Sequence, residues 1–145
     1  MPQSFGLNPM HIIFSTKNRS PLIKGKELFK YAAGICNSLG CQTIAIGGYS
    51  DHIHILCYLS KNIALSKLVQ DVKTSTSRWM KTKGTSNFYW QSGYAGFPAD
   101  PKDLDALIAY INHQEEHHRR LTFKEEYRKV LSELDIVFDE RYVWD

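Results

Sequence analysis

The sequence predicts an α+β domain in which helices pack on one face of a mostly antiparallel sheet. Two observations carry this. Apolar segments run in the order strand, helix, strand, strand, helix, strand, then helices. The second and third strands are joined by a tight connection at Ser50 and Asp51. At 145 residues with a 43% apolar fraction, one domain spanning 1–145 is expected, with no repeat, low-complexity tract or linker.

His11 to Thr16 (HIIFST) is rich in β-branched and aromatic residues and reads as the first strand, followed by a basic loop, Lys17 to Gly25. Glu27 to Leu39 places Leu28, Tyr31, Ala32, Ile35 and Leu39 at helical spacing, and Gly40 ends it. Gln42 to Tyr49 and His52 to Tyr58 are the paired strands. Leu65, Leu68, Val69, Val72, Trp79 and Met80 mark a long amphipathic helix that stops by Gly84. Phe88 to Phe97 carries the next strand into a glycine-containing turn, and Pro98, which cannot donate to a ladder, predicts that this strand ends before it. Asp100 and Pro101 form an N-cap and first helical position for a helix reaching about His118. A last helix, Thr122 to Leu134, precedes an extended tail. This order is that of a ferredoxin-like sheet with an added C-terminal helix.

No apolar run approaches the roughly 20 residues of a membrane span, and the N-terminus has no signal-peptide pattern. Cys36, Cys41 and Cys57 form no CxxC pair and are expected to be free, packed thiols of a cytoplasmic protein. The net charge of +3 hides an asymmetry. Through Lys83 there are eleven Lys and Arg against three acids; from Gly84 onward there are seven against twelve. A basic half suits a polyanion such as nucleic acid, and equally a solvated face.

The sharpest local feature is "DHIHIL" at Asp51 to Leu56. Alternate strand residues share a face, so His52 and His54 project together, roughly 6.5 to 7 Å apart, while Ile53, Ile55 and Cys57 enter the core. Two imidazoles so placed can hold a divalent metal with a third ligand from elsewhere, or can be hydrogen-bonded surface residues. Leu56 stands where a histidine-triad hydrolase needs its third histidine, and no second His-x-Ser/Thr unit exists for a two-histidine phosphoesterase.

The helix containing "YINHQEEHHRR" can supply the third ligand. Leu104, Leu107, Ile108 and Ile111 define its apolar stripe; Tyr110 and Gln114, spaced i and i+4, lie together on the stripe's flank. A glutamine carbonyl completing a two-imidazole metal site and a tyrosine nucleophile form a chemically coherent set for phosphodiester cleavage. No general base is evident. Tyr110 as a packing residue, and His113, His117 and His118 as a zinc cluster, are the competing readings.

Taken together, "DHIHIL" resembles the histidine–apolar–histidine motif of the single-tyrosine transposases of small insertion sequences, and "YINHQEEHH" resembles their tyrosine motif. The resemblance extends to "HIIFSTKNRSPLI", "LVQDVKTSTSRW", "FYWQSGYAGF" and "FKEEYRKVL…FDERYVW", nearly the whole chain; REP-associated tyrosine transposases are close relatives. It implies a metal-dependent nuclease and strand transferase of single-stranded DNA. Tyr110 would be the nucleophile that becomes joined to a DNA 5′ phosphate. His52, His54 and Gln114 would hold Mg²⁺ or Mn²⁺. It also implies a homodimer that recognises DNA hairpins, with the tyrosine helix of one subunit completing the other's site, Gly93 and Gly96 serving as hinge. A relative that holds hairpins without cutting, and a hydrolase of small phosphodiesters, are the alternatives. Lys17, Arg19, Lys67, Arg78 and Lys81 are candidate phosphate contacts; Trp90, Tyr94 and Phe97 are candidate base-stacking residues, with core packing the competing role.

Overall fold

The computed structural model describes residues 8–118 and 121–145, with only the backbone of 115 and 117. Its sheet has the order β2-β3-β1-β4, formed by β1 (Pro9–Ser15), β2 (Thr43–Tyr49), β3 (His52–Tyr58) and β4 (Ala95–Pro98). Every neighbouring pair is antiparallel, with Ile13 opposite His54 and Ser15 opposite His52. This is the ferredoxin-like arrangement the element order predicts.

Period-two alternation sorts the two faces. Met10, Ile12 and Phe14 of β1, with Ile53, Ile55 and Cys57 of β3, pack beneath α1 (Glu27–Ser38) and α2 (Leu65–Thr82). Leu28, Ala32, Cys36, Leu68 and Val72 are the buried helix contributions, and each large side chain so buried contributes about 1.5–3 kcal/mol. Cys36, Cys41 and Cys57 are buried and free, as expected.

The opposite face carries His11, Ile13, Ser15, His52, His54 and Leu56, and three C-terminal helices cover it. These are α3 (Leu104–Asn112), the single turn α4 (Gln114–His117) and α5 (Phe123–Glu133). Ile111 packs on Ala45 and Leu56, while Phe123, Tyr127 and Leu131 pack on Ile13 and Ala95. Thr122 caps α5 through a reciprocal capping box with Glu125. The chain end then straps this helix down: Arg128 binds Glu140 through two nitrogens, and Gly93 N–H donates to Asp145 O at 2.7 Å.

Three local expectations change. The strand expected at Phe88–Phe97 is confined to β4, preceded by a loop with one bridge between Thr16 and Trp90. Lys73 Nζ causes the bend by gathering the carbonyls of Gln91, Ser92 and Gly93 at 2.8, 3.1 and 2.8 Å. Pro98 lies within β4 rather than beyond it, tolerated because β4 is an edge strand. The helix expected to run unbroken to His118 opens with a short 3-10 turn at Pro101–Asp103 and breaks at His113, whose N–H is shared between the Ala109 and Tyr110 carbonyls.

Candidate metal centre

His52 and His54 emerge from β3 on the face covered by α3–α5, and both are fully buried. Their rings lie 5.2 Å apart, centroid to centroid. The hairpin preceding them supplies a fixed partner: His52 Nδ1 lies 2.8 Å from Asp51 Oδ1. Behind His54, the Nε2 of His11 on the adjacent strand approaches His54 Nδ1 at 2.9 Å. His11 and His54 are diagonal neighbours in the β1–β3 register, so the same face brings them together. Burial first, then the nearby His54, lowers the pKa of His11 from 6.5 to about 3. His11 is therefore a neutral ring.

Helix α3 brings Tyr110 and Gln114 onto this pair. It can do so because Gly47, opposite His54 in the ladder, lets the Ile111 carbonyl come close; a Cβ there would sit 2.7 Å from that oxygen. Gln114 is buried, with Oε1 3.1 Å from His52 Nε2. The break at His113 starts a new turn that carries His118 into the same space. Its Nε2 lies 2.9 Å from Gln114 Oε1, and its Nδ1 meets the Leu121 carbonyl. Of the competing zinc trio, His113 is exposed and turned back to the Ala109 carbonyl, and the His117 side chain lies outside the described residues. Only His118 joins the cluster among the described side chains.

The remaining member, Glu126 of α5, was not anticipated from the sequence. Its Oε1 lies 3.0 Å from His54 Nε2 and 3.4 Å from His52 Nε2; its Oε2 lies 3.3 Å from His118 Nε2 and accepts a hydrogen bond from the Tyr110 hydroxyl. Burial alone would raise this carboxyl, but hydrogen bonding to His118 and His54 outweighs it and holds the group well below its ordinary range. Burial, with the Glu126 charge and hydrogen bond adding to it, pushes the Tyr110 phenol well above its usual value. A signal was present: Glu126 falls between Phe123, Tyr127 and Leu131, on the stripe that α5 buries.

The donor set fits a divalent ion. His52 and His118 each direct Nδ1 at an oxygen that can only accept, which turns Nε2 toward Gln114 Oε1 and the Glu126 carboxylate. Imidazole nitrogen, amide oxygen and carboxylate are all groups that can ligate a divalent cation placed among them. Ligands about 2.0–2.2 Å from an ion are separated from one another by roughly 3.0–3.5 Å, matching the 2.9–3.4 Å spacings here. One ligand atom each from His52, His54, His118 and Glu126 all lie within 4.8 Å of one another. The Nδ1 partners Asp51, His11 and the Leu121 carbonyl form the outer shell that orients such imidazoles.

The family model for IS200-like transposases matches residues 5–114, from before β1 to Gln114. The chain belongs to the IS200-like transposase family. A candidate transposase from Deinococcus radiodurans R1 superposes with a TM-score of 0.62 at 17% identity, covering 79% of this chain and 96% of that one. A REP-associated tyrosine transposase bound to a REP hairpin gives 0.60 at 16% identity, covering 81% and 73%. At such identities these two establish the shared fold. Comparison with curated proteins finds no match. Family membership makes this chain a transposase that acts on DNA.

The sequence-predicted DNA contacts separate in space. Lys17 and Arg19 lie beside the hairpin that holds Asp51, since Thr16 N–H donates to the Asp51 carbonyl at 2.8 Å. Arg19 is engaged with the Trp144 carbonyl and ring. Lys67, Arg78 and Lys81 lie on α2, across the sheet from the histidines; Lys67 pairs with Asp71, and Lys81 covers the Tyr89 ring at 4.1 Å. Trp90 is a core residue, edge-on to Phe14 and Phe88, with Nε1–H donating to Thr76. Tyr94 and Phe97 are partly buried against the two cores. Gly96 lies inside β4, where a Cβ would meet the tip of the Leu65 side chain at 2.7 Å. Among the described residues, no helix is long and apolar enough to cross a membrane.

Proposed function

We propose that this transposase cleaves and rejoins single-stranded DNA through a covalent 5′-phosphotyrosine at Tyr110, excising and inserting a small insertion sequence. The observation that carries the reading is that Glu126 joins the Tyr110 hydroxyl to the imidazole cluster within one chain. His52, His54 and Gln114 would hold Mg²⁺ or Mn²⁺, with His118 and Glu126 beside them. When bound, the ion polarises the phosphate oxygen and makes phosphorus easier to attack.

The protein's own groups supply the remainder. Tyr110 Oη, positioned by its hydrogen bond to Glu126, attacks phosphorus and gives its phenolic proton to solvent, forming the tyrosine–phosphorus bond. The bond from phosphorus to the 3′ oxygen breaks, and that oxygen leaves as a hydroxyl by taking a proton from solvent. Rejoining is the reverse: a 3′ hydroxyl attacks phosphotyrosine and returns the tyrosine. The bond energy is retained, so no nucleotide cofactor is consumed. A hairpin at the element end, of the kind bound by the REP-associated relative, is the proposed DNA partner. The proposed homodimer is not needed to bring Tyr110 to the histidines, because α3 reaches those of its own chain. The proposed place of action is the cytoplasm, at the nucleoid.

The test incubates the protein with Mn²⁺ and labelled single strands from the ends of its own element, then looks for a denaturation-resistant protein–DNA adduct. Wild type forms it; Tyr110→Phe binds DNA without forming it. A hairpin binder that does not cut forms none. An adduct that persists in Tyr110→Phe overturns the nucleophile assignment. His52→Ala should abolish cleavage and spare hairpin affinity.

A further inference from the structure

A cavity of about 440 Å³ opens beside the metal cluster, between the start of α1 and the edge strand β2, with the end of α3 as its third wall. That size lies within the range of roughly 300–1,000 Å³ for small-ligand sites. Gln114 lines it as well as the cluster, and Tyr49, another wall residue, lies with its ring against that of His118 at 5.5 Å. The cavity therefore adjoins the position a reacting phosphate would take.

Its chemistry is that of a nucleotide subsite. Lys26 and Lys30, one turn apart, form one rim; both are exposed. Among the described residues no acid lines the cavity. Phe29 and Tyr49 supply aromatic surface, and Asn112 supplies an amide with both donors and an acceptor. Residues 46–50 form the floor, at the end of β2, which has a paired strand on one side only. Cations, an aromatic wall and a side-chain amide such as that of Asn112 suit an unpaired nucleotide.

We propose that this cavity seats the nucleotide adjoining the cleaved phosphate, with a neighbouring phosphate at Lys26 and Lys30 and the base against Tyr49. The assignment rests on the single-strand cleavage reading. The path of the strand then runs from the metal cluster over Gln114 and out across the N-terminal end of α1, away from α2.

The test measures fluorescence anisotropy of unstructured oligothymidylate with wild type, Lys26→Ala/Lys30→Ala and Lys26→Arg/Lys30→Arg. Both substituted positions carry exposed side chains, and Mn²⁺ affinity serves as the check on the fold. The alanine pair should weaken binding about tenfold at low salt and flatten the log–log salt dependence by about 0.7, one single-strand phosphate contact. The arginine pair should retain both. In parallel, a strand carrying 4-thiothymidine should photo-crosslink to Tyr49 or Phe29. Alanine variants that bind with wild-type affinity and slope, or crosslinks confined to residues outside the cavity, overturn the assignment. If wild type forms the Tyr110 adduct while the alanine pair binds normally, the cavity assignment alone fails. If no adduct forms yet the alanine pair loses affinity, the cleavage reading fails and the cavity stands as a single-strand subsite.

Discussion

Asp51→Ala isolates the outer shell of the proposed metal centre. Asp51 Oδ1 accepts from His52 Nδ1 at 2.8 Å, which fixes the ring and leaves Nε2 to face the cluster. The other Asp51 contact that matters, its carbonyl to Thr16 N–H, belongs to the backbone and survives the substitution. Losing an outer-shell carboxylate typically costs about 10–100-fold in metal affinity, or roughly 1.4–2.8 kcal/mol. The Asp51 side chain is 21% exposed, so water can replace part of the bond and the lower end, about tenfold, is expected. Asp51→Asn keeps an accepting oxygen without the charge and should lose only a few-fold. The metal-free protein should lose less than about 1 kcal/mol, since a partly exposed pair adds little to folding. Calorimetric titration with MnCl₂, beside urea melts of the metal-free variants, measures both. An alanine variant that binds Mn²⁺ like wild type, or an asparagine variant weaker than alanine, would refute the reasoning.

Further expectations concern the residues around the site. His118→Ala should weaken Mn²⁺ binding, and because imidazoles favour Mn²⁺ over Mg²⁺, it should also narrow the preference between the two ions in competition titrations. Gly47→Ala puts a methyl 2.7 Å from the Ile111 carbonyl. Displacing α3 should cost about 1–3 kcal/mol in urea melts and lower cleavage more than hairpin affinity, since Tyr110 and Gln114 move with the helix. His11 has a folded pKa of about 3 against 6.5 for the free group, so below pH 6.5 the unfolded chain binds a proton that the folded chain does not. Stability of the metal-free protein should therefore fall as pH drops from about 6.5 towards 3, and His11→Gln should make that decline shallower in urea melts across the range.

Much of the sheet was legible because one rule, two-residue alternation, governs both the core and the site. The HIHIL run of β3 had to place Ile53 and Ile55 on one face and His52 and His54 on the other. Helical spacing likewise put Tyr110 near Gln114. What could not be read was register and chain breaks. His11 stands in the first strand's sequence, but its contact with His54 depends on β1 pairing with β3 at one particular offset. The interruption at His113, which turns His118 inward, leaves no breaker residue in the sequence. Glu126 passed as one charge among several on α5, although its position between Phe123 and Tyr127 marks it as a buried carboxylate. The short β4 reflects Lys73 drawing three carbonyls together, a tertiary contact that outweighs the strand propensity of Phe88 to Trp90.

The account stands most directly on whether one ion occupies the space among His52, His54, His118, Gln114 and Glu126. Crystals soaked in Mn²⁺ and measured for anomalous scattering decide this. A single peak about 2.0–2.2 Å from Nε2 of both His52 and His54, in the same chain as the nearby Tyr110, is the predicted result. Peaks only elsewhere, or none while both imidazoles remain in place, would contradict it.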